Sequence, residues 1–568
     1  MIQNIFKSII VDEKIQKIIP IVLCLFLSIF IFRYTFQEGM FRTHDGEIHI
    51  IRSMHFFSEV IRGQIPVRMI PEMAYGHGYL VFQFFYPFPY YLSSLFQIVG
   101  FSAVDAWKVL LFLTTFLSFV FYYYWSKKHL TNSASLLATT AFAIVPFRFL
   151  TLFVSGQIGA QLSLLFVPII LFGLADLLKN DNNRGVLIVS LGIAGLITSH
   201  LLSVIIFFLP MFCYGLYLLL QAPSKNKIYK LLISILLSFG LSAFYLLPFL
   251  IEKSWVRLGH EILVNHRDHW PTLSQLVYSP WGHGYSEIGA NDGMSFQVGA
   301  VVLFSLLLSL LQMILNKRFR NDRLSVLMLV VALFLFFLMT PYASFVWELL
   351  YPLKLLQYPW RLLASVTFVA SWLVGRNMDF LNKKQFKLIY AVLMIALGFL
   401  NVRNYAQPWP LDWFKDQDYQ DSFYAYYGPT DISWELMPVT ATKILRDKPS
   451  LVLNESDESL SVHSAQWLKQ GSKRFRVDYT SSKDMNINVI LWDLPVWGVE
   501  VNGQKASKIT AIDGTIEAPV TKGSGYVEFV LKKTMVQKIS DGISVISFGL
   551  FLVYFYWFRN KQDYNLVK

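Results

Sequence analysis

The densest run of chemically capable residues in the chain is Arg42-Thr43-His44-Asp45-Gly46-Glu47-Ile48-His49-Ile50-Ile51-Arg52. Residues three and four apart are neighbours on a helix, so in helical register Asp45, His49 and Arg52 share one face. A carboxylate there can take a proton from an acceptor hydroxyl, and an adjacent cation can hold a phosphate leaving group. On spacing alone Asp45 serves equally well as a plain N-cap of an amphipathic helix, where Asp is favoured.

Other residues could join such a site. His200, in Thr198-Ser199-His200, stands at an expected helix end and could contact a phosphate; an imidazole satisfied by a backbone carbonyl is the commoner arrangement. Arg148 and Gln157 flank a short turn, and a guanidinium there is costly in lipid unless it snorkels, pairs or binds an anion. Arg361 follows Tyr358-Pro359-Trp360. A guanidinium with aromatic anchors suits bidentate bonding to phosphate, or simply anchors a helix at the membrane interface. In the segment 251–294, His266 and His269 form a His-x-x-His that, with an acidic partner, could hold a divalent cation. Arg267 places a positive charge between those ligands, and solvated loop charge is the commoner reading. No other cofactor is implied.

The elements that must carry these groups are membrane helices. Of 568 residues, 55% are hydrophobic and 15% charged, against about 25% charged in soluble domains; mean hydropathy is +0.46. Apolar runs long enough for a hydrocarbon core of about 30 Å recur along the chain. The expected spans are 18–36, 105–125, 132–150, 159–178, 186–199, 201–221, 230–250, 295–315, 324–339, 361–377, 387–402 and 537–558, about twelve in all. The net charge of +12 sits in short basic loops between these runs, as orientation signals and contacts to anionic membrane lipids do, which argues against a nucleic-acid partner. Cys24 and Cys213 both lie in apolar runs and offer neither a disulfide framework nor a zinc cluster.

Basic loops at 126–128, 179–184, 225–230, 317–323, 376–387 and 559–561 set the topology, with both termini cytoplasmic. The N-terminal run with Lys7 reads as an uncleaved first helix. The stretch 78–100 is long enough to span but contains Pro87 and Pro89 among many rings, so it is expected to lie interfacially or re-entrantly on the outer face. Four segments, 37–77, 251–294, 341–360 and 403–536, then face outward. The chain divides into 1–402, a transmembrane domain with outer loops 37–104 and 251–294; 403–536, an extracytoplasmic domain; and 537–568, a final helix and cytoplasmic tail. From about residue 451, period-two runs punctuated by Asn502-Gly503, Asp513-Gly514 and Lys522-Gly523 predict an antiparallel β-sandwich-like fold.

The run from Thr43 to Arg52, with Gln64-Ile65-Pro66-Val67-Arg68, Tyr75-Gly76-His77-Gly78-Tyr79, Phe85-Tyr86-Pro87-Phe88-Pro89-Tyr90-Tyr91 and Gln357-Tyr358-Pro359-Trp360-Arg361, resembles the bacterial 6-pyruvoyl-tetrahydropterin synthase-related membrane proteins, relatives of the YfhO group. The late segment Leu494-Pro495-Val496-Trp497-Gly498-Val499-Glu500-Val501-Asn502-Gly503 is similar to the extracytoplasmic tail of that group. Despite their label these proteins resemble the GT-C glycosyltransferases, which take a sugar from a polyprenyl phosphate carrier on the outer face of a bacterial cytoplasmic membrane. The resemblance implies interfacial helices in the first outer loop and a catalytic Asp or Glu there. By motif position that residue is Asp45, with Glu47 beside it. Gly46 separates the two where some members have an adjacent Asp-Glu pair, so their division of roles stays open. His49, Arg52, Arg148, His200 and Arg361 are the expected binders of the donor, and a cell-envelope glycan such as teichoic acid is the expected acceptor. A transporter or flippase of a lipid-linked glycan is the alternative, but such proteins place polar groups near the bilayer midplane in repeated halves, and no repeat is visible. A non-catalytic envelope-assembly scaffold is the third reading.

Overall fold

A computed structural model describes residues 13–260, 264–405, 407–409, 413–421, 436–442, 450–468 and 473–566. Lys7, and the side chains of the basic tail 559–561, lie outside the described residues. Helix occupies each expected membrane window, but not as twelve uniform spans. Among the described residues, six helices are long and apolar enough to cross a membrane: Ala103–Ser126, Ile158–Lys179, Leu201–Gln221, Lys225–Trp255, Lys384–Val402 and Met535–Trp557. Two bent pairs, Asn132–Ala143 with Pro146–Val154 and Arg323–Leu338 with Pro341–Leu349, bring the number to eight. Gln16–Phe32, Arg184–Ser199 and Ala300–Leu315 are apolar but shorter. The chain is a multi-pass membrane protein.

The breaks have local causes. Proline disfavours helical backbone in the residue before it; Val145 is extended at φ −76° and ψ 141°, and Pro146 restarts the helix after a bend of 47°. Proline also opens the helix after the sharper bend of 94° at Pro341. Within 78–100, Pro87 separates the short helix Val81–Phe84 from Phe88–Ile98. The longer has 11 residues, which at about 1.5 Å rise per residue falls well short of the hydrocarbon core.

The C-terminal part contains two antiparallel sheets. In the five-stranded sheet the order is Leu460–Trp467, Arg474–Ser481, Gly523–Leu531, Trp497–Val501 and Gln504–Ala506. Met485–Trp492, Thr515–Val520 and Ile509–Thr510 form the other. Alternation is clearest in Arg474–Ser481, where Phe475, Val477 and Tyr479 point inward. Asn502 and Gly503 both take positive φ, 50° and 80°, as a two-residue hairpin turn that follows strand twist requires.

Later parts of the chain converge on the first polar loop. Met40–Phe41 pairs with Trp413–Phe414. The Trp492 N–H donates to the carbonyl of His77 at 3.0 Å, and their rings lie 4.5 Å apart. Arg68 donates to Asp541 at 2.6 Å and to the Phe244 carbonyl at 3.0 Å, linking the loop to helices Lys225–Glu252 and Met535–Leu566. Those helices approach closely at Gly240, where an added Cβ would lie 2.0 Å from Ser547 Oγ; small residues permit such packing between membrane helices. Replacing Gly240 by leucine is therefore expected to overpack the contact by about 1–3 kcal/mol and lower the thermal midpoint in detergent. Gly542→Leu, on the same C-terminal helix but with open space around it, should leave that midpoint near wild type; equal shifts would contradict the packing assignment.

Candidate functional site

The helix Gly46–Ile61 begins at Asp45, yet the Asp45 side chain makes no capping bond. Thr43 performs that service, its Oγ1 accepting the Gly46 N–H at 2.9 Å. The backbone N–H groups of His44 and Asp45 donate to the carbonyls of Val154 and Ser155 at 2.9 and 3.0 Å. This fixes the carboxylate against the turn following the bent helix pair. Gly156 completes the turn at φ +68°, and a Cβ there would lie 2.1 Å from Thr43 Oγ1. The next residue, Gln157, hydrogen-bonds the Asp45 side chain.

The sequence-predicted face forms as expected, because Asp45, His49 and Arg52 lie one helical turn apart. Three other elements complete the cluster. His44, Arg361 and Arg52 act electrostatically on Asp45, and Arg361 in turn acts on His200. Burial nevertheless dominates and raises the Asp45 carboxyl above the usual aspartate range, while the cations and Gln157 pull it down. Asp45 keeps part of its surface accessible, so this is a lined recess, not a sealed core position.

His49 is buried, accepts or donates at 2.7 Å with the Tyr90 hydroxyl, and stacks on Trp107 at 5.6 Å. Burial first, and then the charge of Arg52, hold its imidazole well below the ordinary histidine range. Burial likewise depresses His200 to about 3, with Arg361 adding to the effect. His200 Nδ1 meets Ser203 Oγ at 2.6 Å, and the ring sits edge-on to Tyr86. Gly159 makes room for it: a Cβ there would be 2.7 Å from the imidazole. Arg52 lies over the Phe85 ring at 4.6 Å and bonds Tyr90. Arg361 donates to the Leu356 carbonyl and to Gln357 at 2.8 and 3.0 Å, and faces Tyr358. The result is one carboxylate, two guanidinium groups and two neutral imidazoles around a recess.

Not every expected residue joins them. Glu47 turns away to Arg42 at 3.1 Å, which removes it from the carboxylate's immediate surroundings. Arg148 is fully buried between Phe119 and Phe142, with centroids 4.7 and 4.5 Å away, and contacts Gln161 at 3.5 Å. Cation–π contacts offset part of the cost of burying its charge, while its Nη2 finds no hydrogen-bond partner among the described residues. The His266 ring stacks on Trp347 and its Nε2 lies 3.6 Å from Glu348, whereas His269 faces Ser286 and Tyr358. They are committed to different neighbours, and no group of three or more potential ligands gathers among the described residues.

Tyr86, Tyr90 and Gly159 were absent from the sequence-derived site. The tyrosines sit in a proline-broken aromatic run that composition assigns to the headgroup zone, and Gly159 has no chemistry of its own. Their roles emerge only from which helices pack together.

These features define a multi-pass membrane protein with an acidic recess bordered by basic groups. No protein-family model matches the chain. It is 27% identical over 239 residues to an uncharacterized protein of Lactococcus lactis subsp. cremoris (strain MG1363), covering 40% of this chain and 39% of that one. A solved structure, the apo crystal structure of the Archaeoglobus fulgidus oligosaccharyltransferase, is similar at a TM-score of 0.39 and 12% identity, covering 76% of this chain and 60% of the other. The chain thus spans less than two thirds of the length of each. At these values neither likeness assigns an activity.

The raised Asp45 pKa has a consequence for stability. The folded carboxyl holds its proton to higher pH than the unfolded one, at about 3.9, so stability is lost as pH rises through that window toward the folded value. Asp45→Asn removes this cost. The difference in thermal midpoint should therefore grow in the variant's favour as pH rises above about 3.9 in detergent. A difference independent of pH would place Asp45 in ordinary solvent.

Proposed function

We propose that this protein is a membrane glycosyltransferase. It transfers a sugar from a polyprenyl-phosphate-linked donor to an acceptor outside the bacterial cytoplasmic membrane, teichoic acid or another cell-envelope glycan, and both termini are cytoplasmic. The observation that carries this reading is a carboxylate released from helix capping, largely desolvated, and faced by Arg52 and Arg361. The motif resemblance from Thr43 to Arg52 and at 357–361 points the same way.

In the reaction, the acceptor hydroxyl gives its proton to Asp45 as its oxygen bonds to the anomeric carbon. The bond from that carbon to the carrier phosphate breaks, and the electron pair remains on the phosphate. Arg52 and Arg361 stabilise the departing anion, since guanidinium–phosphate bonding is strong where water is scarce. Neutral His49 and His200 bring hydrogen-bonding capacity to the same recess without adding further charge. Desolvation makes Asp45 a stronger base than an exposed aspartate, closer to the match with working pH that proton transfer needs.

The test compares surface glycans of a deletion strain complemented with wild type, Asp45→Asn or Arg361→Gln, alongside transfer by purified protein in nanodiscs from a short-chain polyprenyl-phosphate sugar. Asp45→Asn should lower transfer about 10²-fold or more, the usual contribution of a general base, and Arg361→Gln should weaken use of the donor. Wild-type glycans with Asp45→Asn would sink the proposal and favour a flippase or scaffold.

A further inference from the structure

His44, next to Asp45, supports an aromatic ring from a distant segment. Tyr285 stacks on the His44 imidazole with centroids 4.2 Å apart and planes at 25°, yet 62% of the tyrosine stays exposed. Its segment is fastened on several sides. His44 Nε2 pairs with the His283 carbonyl at 2.9 Å. Gly284 N–H donates to the Gly293 carbonyl, and Gly293 N–H to that of Tyr285, each at 2.9 Å. The two segments touch so closely that a Cβ on Gly284 would stand 2.8 Å from Gly293 Cα. Glu287 N–H donates to Asp292, and Gly289 N–H to the Asp268 carbonyl. A large ring is thus pinned open beside the acidic recess, with one face covered by His44.

An aromatic face carries negative partial charge and attracts the positive C–H edges of an apolar surface. A pyranose ring presents such a surface; an open-chain polyol phosphate does not. The hairpin's charged side chains are Glu287 and Asp292, with no Lys or Arg between Tyr278 and Met294, which disfavours a polyanionic chain. From this geometry we infer that Tyr285 is a stacking subsite for a pyranose ring of the acceptor. The acceptor is then a ring-sugar glycan with little charge, not a bare polyol phosphate. The inference deepens the transferase reading by naming its acceptor class.

Binding of fluorescently labelled cellohexaose, maltohexaose, chitohexaose and poly(glycerol phosphate) to the full chain in detergent tests this. At least one neutral oligosaccharide should bind wild type more tightly than poly(glycerol phosphate). Tyr285→Ala should weaken that binding about tenfold, the effect of one lost stack, while Tyr285→Trp retains it. Wild-type binding by Tyr285→Ala, tighter binding of poly(glycerol phosphate), or no binding of any neutral probe would overturn the subsite. Asp45→Asn separates the two claims. If it abolishes transfer while Tyr285→Ala binds normally, only the subsite fails. If it transfers normally while saccharide binding still depends on Tyr285, only the transferase reading fails.

Discussion

A charged carboxylate is hard to keep in a chain whose mass is apolar, since desolvation drives it toward protonation. Around Asp45 that cost is met by geometry. The backbone on either side of the carboxylate is tied to Val154 and Ser155, and Thr43 satisfies the first free N–H of the following helix. The side chain is left to face Gln157 and the guanidinium groups. Had Asp45 capped its own helix, its oxygens would have been spent on backbone donors. The exchange of duties between Thr43 and Asp45 is what leaves a carboxylate available in the recess.

The same constraint explains why the first polar loop is a hub. A recess assembled from residues 45, 52, 200 and 361 needs its walls held by elements far apart in sequence, or small shifts would separate the charges. The pairing of Met40–Phe41 with Trp413–Phe414, the seat of Trp492 on His77, the Arg68–Asp541 ion pair and the His44–Tyr285 stack all bear on this loop. The β-sheets and the last helix thereby brace the site without contributing its charged groups.

Much of this was legible in the sequence, for reasons that also mark where legibility ended. Apolar length located the helices, because that pattern answers to the thickness of the bilayer. The shared face of Asp45, His49 and Arg52 followed from helical spacing. The hairpin at Asn502-Gly503 followed from the positive φ that its turn demands. Pairings such as Tyr90 with His49, Gly159 with His200 and Tyr285 with His44 depend on tertiary packing, which no local pattern encodes. The membrane windows at 132–150 and 324–339 were located, but the bend at Pro146 inside the first and the one at Pro341 just past the second were not anticipated.

Arg148 shows how a residue can be well placed along the chain and still differ in role. It lies at the break that leads to the turn holding Asp45, where a phosphate ligand would be useful. Yet its guanidinium is enclosed by Phe119 and Phe142, and Gln161 bonds both the Arg148 carbonyl and Thr151 Oγ1, at 3.4 and 2.7 Å. These contacts span the irregular turn Leu150–Val154, whose final carbonyl accepts the His44 N–H. A bent helix end must satisfy backbone groups that a straight helix would pair internally, and polar side chains inside the bundle are one way of doing so. Gln161, which the Arg148 guanidinium also meets at 3.5 Å, links that guanidinium to the Asp45 turn, and the cations facing the recess are supplied from Gly46–Ile61 and from the short turn Pro359–Leu362.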